Sequence, residues 1–173
     1  MGYADTGIKN HEKTEINMLN SFLEKTKKGL SDLATNAKKY RNADFLESAM
    51  AASAMITVAD GSISREEKEK AFNFVKNLEA LQIFDPIEVG NCFKKHLDRL
   101  DPDNPGTDVD IASITSMQII GKIKKNDAQA RMVLRLAIAI GGADGNFDDQ
   151  EKAKASQIAK ELGLSPSEFD LPS

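Results

Sequence analysis

Helical periodicity and explicit caps run through the chain, while the two-residue alternation of a half-buried strand is almost absent. Ile16, Leu19, Phe22, Leu23, Leu30, Leu33 and Ala37 form an apolar stripe that predicts a first helix from about Thr14 to Lys39, weakened at Gly29. Asn42 predicts the cap of a second helix to about Val58, whose run FLESAMAASAMITV is apolar on nearly every side, as a buried central helix would be. Ala49, Ala51, Ala52 and Ala54 keep its surface low, so another helix can approach closely. A third helix is expected after Ser64, with Ala71, Phe74, Val75 and Leu78 facing inward. Asp85-Pro86-Ile87-Glu88 opens a fourth, with an acid at the cap and proline at the first helical position. Its buried stripe is Val89, Phe93, Leu97 and Leu100. After the breaker Asp101-Pro102-Asp103-Asn104-Pro105-Gly106, Thr107 opens a fifth helix with Ile111, Ile114, Met117, Ile120 and Ile123 on one side. Asn126 with Gln129 caps a sixth, RMVLRLAIAIGG, again apolar nearly all round. A seventh follows Asp148 and ends near Gly163, and Ser165-Pro166-Ser167-Glu168 adds a last turn.

The fold expected is therefore all-α, about seven helices in a single domain over 13–173, behind a disordered lead over 1–12. It also carries an internal repeat. Ala59-Asp60-Gly61-Ser62-Ile63-Ser64-Arg65-Glu66-Glu67-Lys68 recurs 84 residues later as Ala143-Asp144-Gly145-Asn146-Phe147-Asp148-Asp149-Gln150-Glu151-Lys152. From Ile56 to Leu78, ten of 23 positions are identical between the copies. Asn42 and Asn126 stand at the same offset, so the units run over about 42–78 and 126–162. Each is a cap, a buried helix, an Ala-Asp-Gly turn and a second helix, and duplication of one unit predicts a pseudo-two-fold. The two buried helices should pack on each other.

Composition narrows the chemistry. At 173 residues and 40% hydrophobic content, the chain can bury one sizeable core. Net charge is −4, against a nucleic-acid partner on bulk electrostatics. The distribution is uneven: Ile8–Arg41 holds eight Lys/Arg and four Asp/Glu, a balance of +4, while Asn42–Ser173 holds 15 and 22, a balance of −7. The basic front helix has two readings, a solvated face or a surface that lies on an anionic membrane or a partner. Cys92 alone excludes an internal disulfide and fits a reducing compartment. No apolar run reaches the roughly 20 residues of a membrane span, and no signal-peptide core is present, so the cytoplasm is expected. His11, His96 and Cys92 cannot by themselves fill a four-ligand zinc site. His96, at helical spacing with Cys92 and Leu100, reads as part of a helix face and not as a catalytic base.

The repeated acidic turn has two readings. Against a calcium loop of the EF-hand kind, Asp60 takes position 5, Gly61 the bend at 6, Ile63 the hydrophobic position 8, Ser64 position 9 and Glu67 position 12. The second copy supplies Asp144, Gly145, Phe147, Asp148 and Glu151. Positions 1 and 3 fail in both copies, so each turn is half a loop, and two facing halves are needed for a cation that wants six to eight oxygens. The other reading is capping: Ser64-x-x-Glu67 and Asp148-x-x-Glu151 are capping boxes, and the glycines supply positive φ. Capping leaves Asp60 and Asp144 unexplained, because an acid near a helix C-terminus opposes the macrodipole.

On AMITVADGSISREEKEKAFNFVKN, LQIFDPIEVGNCF, LRLAIAIGGADGNFDDQEK and LGLSPSEFDL, the chain from about Lys39 to Leu171 resembles the TerB family of tellurite resistance proteins. The resemblance implies an all-α, non-enzymatic, cytoplasmic protein of the tellurite and stress response, acting as a scaffold or sensor beside other tellurite-resistance components near the inner face of the membrane. It implies a divalent cation, calcium favoured, at Asp60, Glu67, Asp144, Asp148 and Glu151, with no organic cofactor. Ser64 stands where the second copy has Asp148, which leaves the first half-site poorer in charge.

Overall fold

A computed structural model describes Glu24, Lys25, Lys28 and residues 40–173. The predicted helix over 14–39 and the lead over 1–12 lie outside these residues, apart from Glu24, Lys25 and Lys28, which are helical. Among the described residues are six α-helices, three short 3₁₀ turns and no strand. They are α1 (Ala43–Thr57), α2 (Arg65–Asn77), α3 (Pro86–Leu100), α4 (Val109–Gly121), α5 (Asp127–Gly141) and α6 (Asp149–Glu161). The bounds of α5 and α6 lie 84 residues after those of α1 and α2.

Each helix begins at a side chain that satisfies otherwise unpaired backbone donors. Asn42 Oδ1 accepts from the Phe45 amide at 2.8 Å, and Asn126 Oδ1 accepts from Gln129 at 3.1 Å. Asp85 Oδ1 accepts from Ile87 and Glu88, with Pro86 following it. The fifth cap is Asp108, not Thr107, and accepts from Ile111 at 3.1 Å. Gly163 adopts φ +74° beyond α6, where the Leu164 amide returns to the Ala159 carbonyl.

The centre of the molecule is α1. From Phe45 to Ile56 every residue is buried except Glu47. It packs most extensively on α5, and also on α3, α4 and α6. The central pair touches closely: a Cβ built on Gly141 would lie 2.2 Å from Ile56 Cγ2. Two hydroxyls inside this core are satisfied, with Ser53 donating to the Ala49 carbonyl and Ser48 to the Ile119 carbonyl of α4. The stripe expected on α3 is buried throughout.

One predicted face holds only in its second half, where Met117, Ile120 and Ile123 meet the core. On α4, Ile111 and Ile114 are more than 60% exposed, and the side turned to the core carries Ser116, Ile120 and Ala112, with Ile123 just beyond the helix. The run is apolar on several sides, so periodicity alone does not say which side packs. Packing against α1, to which the Ile119 carbonyl is hydrogen-bonded through Ser48, settles it.

Candidate metal centre

Both acidic turns are built by the same local bonds. After α1, the Gly61 amide donates to the Val58 carbonyl, and Gly61 takes φ +85°. After α5, a 3₁₀ turn over Gly142–Asp144 ends at Gly145, φ +83°, whose amide donates to the Gly142 carbonyl. Each aspartate then folds back on its own loop: Asp60 Oδ1 accepts from the Ser62 amide at 3.0 Å, and Asp144 Oδ1 from Asn146 at 2.9 Å. This Asx turn supplies the structural reason for an acid at these positions that helix capping leaves open. Ile63 and Phe147 follow, both buried, and pin each loop to the core.

The two capping boxes are complete. Glu67 Oε2 accepts from the Ser64 amide at 2.7 Å while Ser64 Oγ accepts from Glu67 at 3.2 Å. In the second copy, Glu151 Oε2 accepts from Asp148 at 2.7 Å and Asp148 Oδ1 accepts from Glu151 at 2.8 Å.

The turns face one another. Asp60 and Glu67 from the first and Asp144, Asp148 and Glu151 from the second line one cleft of about 100 Å³, floored by Thr57 and Gly141 and bordered by Lys70. All five acids singled out in the sequence thus share one opening. They do not share one environment. Glu67 is exposed, and the hydrogen bonds from Ser64 hold it below its ordinary value. Glu151 is half-buried: burial pushes its carboxyl up to about 8, against the Asp148 amide, and Asp148, Asp144 and Asp60 add repulsion. That Asp60 acts on Glu151 means the two copies interact electrostatically. A site that forces a carboxyl to keep its proton near neutral pH is one that a cation would relieve. The oxygen-only donor set fits a hard cation such as calcium, and the cleft holds room for water to complete the shell.

A second cluster escaped the sequence reading. Glu47 on α1 meets Cys92 and His96 on α3, with one potential ligand atom from each within 4.8 Å of the others. His96 Nε2 lies 2.8 Å from Glu47 Oε2, and Lys95 donates to Glu47 Oε1. Burial pushes the Cys92 thiol up to about 12 and lowers His96. Burial would raise Glu47, but hydrogen bonds from Lys95 and His96 bring it below its ordinary value. Two hints were present in the sequence: Cys92 and His96 at i,i+4, and Glu47 as the one charge in the apolar run of α1.

The described residues contain no helix long and apolar enough to cross a membrane. A family profile described as "Tellurite resistance protein TerB" matches residues 46–172. A "Tellurium resistance protein TerB" of Alcaligenes sp is 31% identical over 122 residues, which span 68% of this chain and 96% of the relative. No solved structure matches. The matched segment includes both acidic turns, most of α1 and all of α2 to α6, and the chain belongs to the TerB family of tellurite resistance proteins.

Proposed function

We propose that this tellurite-resistance protein is a non-catalytic scaffold or sensor that binds a divalent cation, calcium by preference, between its two acidic turns. The observation that carries the reading is the common cleft, in which five carboxyl groups from both copies of the repeat meet. Asp60 and Asp144 each commit Oδ1 to an Asx turn, which leaves the other oxygen of each carboxylate to a ligand. Glu151 and Asp148 likewise each commit one oxygen to the capping box. Short turns and mixed carboxylate and carbonyl oxygens suit calcium's loose shell better than magnesium's strict octahedron. The binding event would couple the ends of the central helices α1 and α5, because one turn follows each. The cytoplasm, at the inner face of the membrane beside other tellurite-resistance proteins, is the setting proposed for this action.

A second reading rests on a specific observation. Both Asx turns and both capping boxes are fully made by the protein alone, so the acids also suffice as pure loop and cap chemistry. The chain would then be a helical interaction module. Calorimetry with calcium separates the two. Cation binding predicts saturable heat that Asp144→Ala weakens more than Asp60→Ala does, since the second copy offers Asp148 where the first has Ser64. No heat in either wild type or variants would leave the module reading.

A further inference from the structure

We propose that Glu47, Cys92 and His96 form a second metal site, for zinc or a similar borderline-soft dication, that joins α1 to α3. Thiolate, imidazole and carboxylate are the three donor types that zinc takes in proteins, and three such ligands with a water complete a tetrahedral shell. The ligand atoms already lie within 4.8 Å of one another, whereas the acidic turns offer oxygen alone. Zinc bonds of roughly 2.0–2.1 Å to nitrogen and oxygen need the His96 and Glu47 atoms about 3.3 Å apart. Their present 2.8 Å separation opens to that by a small shift of the partly exposed Glu47 side chain.

His96 supplies an independent observation. It is fully buried with Nε2 held toward Glu47, while Nδ1 has no hydrogen-bond partner and so locks neither tautomer of the ring. In the metal-free protein the Glu47 carboxylate faces Nε2 of the ring. On binding, the Cys92 thiol loses its proton to solvent, and the ring proton that Nε2 directs at Glu47 is relocated to Nδ1, so that Nε2 presents its lone pair to the metal. Thiolate and carboxylate then neutralise the dication. Lys95, on the other oxygen of Glu47, remains to orient that carboxylate. Ten residues of α1, roughly 15 Å of helix, separate Glu47 from Thr57 at the floor of the acidic cleft, so the two sites are distinct.

The test is a cobalt(II) titration of the metal-free full chain, with calcium in excess to occupy the acidic cleft. One equivalent of cobalt is expected to produce a thiolate-to-cobalt charge-transfer band and the intense visible bands of a tetrahedral site, and zinc should bleach both. Cys92→Ser and His96→Gln should abolish the charge-transfer band. Glu47→Gln should weaken cobalt affinity by at least the roughly tenfold that even an indirect metal partner is worth. X-ray absorption on the zinc-loaded wild type guards against a variant that fails to fold, with one sulfur expected near 2.3 Å. A zinc shell of oxygen and nitrogen alone, absence of binding, or a cobalt spectrum unchanged in Cys92→Ser would overturn the proposal.

Discussion

Glu67 and Glu151 do the same structural work and differ in charge state. Each accepts from the amide three residues before it, but hydrogen bonds with Ser64 lower the first, while burial, with repulsion from three aspartates, raises the second to about 8. The consequence for stability follows from the sign of the shift. Glu151 goes from an ordinary 4.5 to about 8 on folding, so the folded state holds the proton more tightly. Its contribution is complete below about 4.5 and is lost as pH rises through about 8. Melting in the absence of metal is therefore expected to weaken over that window, and Glu151→Gln, which keeps an acceptor for the Asp148 amide, should flatten the profile. Calcium binding should tighten over the same window, because the cation displaces that proton. A metal-free profile identical in wild type and Glu151→Gln would show that the residue does not titrate in this way. The aspartates were legible in the sequence as acids in need of a reason, and the structure supplies one in the Asx turns. The charge state of Glu151 was not legible, because it depends first on burial in the folded protein and then on neighbouring carboxylates, one of them Asp60, 91 positions away in the chain.

At the scale of the element, the turn and the helix after it form one unit. Gly61 and Gly145 occupy the left-handed region, with nothing within 4 Å of a Cβ placed on either. Gly61→Ala and Gly145→Ala should therefore cost only backbone strain, about 1–2 kcal/mol each in a chemical melt. A much larger cost at Gly145 would point to a contact that the geometry does not contain. The caps act on a similar scale: Glu67→Ala and Glu151→Ala should each lower metal-free stability by about 1 kcal/mol through loss of the box. Only Glu151→Ala is expected to lower calcium affinity strongly as well, since Glu151 lies inside the cleft and Glu67 at its exposed rim. Caps and turns of this kind are written in local sequence, and five of the six described helices start at the cap that the sequence predicts: α1, α2, α3, α5 and α6. In α4 the cap is displaced by one residue, from Thr107 to Asp108.

Across the whole molecule, the cleft exists because α1 and α5 pack closely enough to bring their ends together. Gly141 permits that approach: a Cβ there would press on Ile56 at 2.2 Å. Thr57 occupies the corresponding place in the first copy, so the repeat is unequal at its closest contact. Gly141→Ala should cost about 1–3 kcal/mol by overpacking, and Ile56→Ala should recover part of that loss in the double variant. Additive losses, seen in the melts of both single variants and the double, would separate the two positions. Calcium at about 100 times its dissociation constant should stabilise the fold by about 2.7 kcal/mol, roughly 5–11 °C for a chain of this size, and magnesium by less. An unchanged melting temperature would favour loops that only cap. The sequence by itself determined the helices, their caps, the duplicated turn and the identity of its acids, because each follows from neighbours within a few residues. Tertiary structure alone decided that Ile111 and Ile114 face outward, that Glu47 reaches His96 and Cys92, and that the two acidic turns meet. Those outcomes depend on how separate helices cross, and no local pattern of residues carries that information.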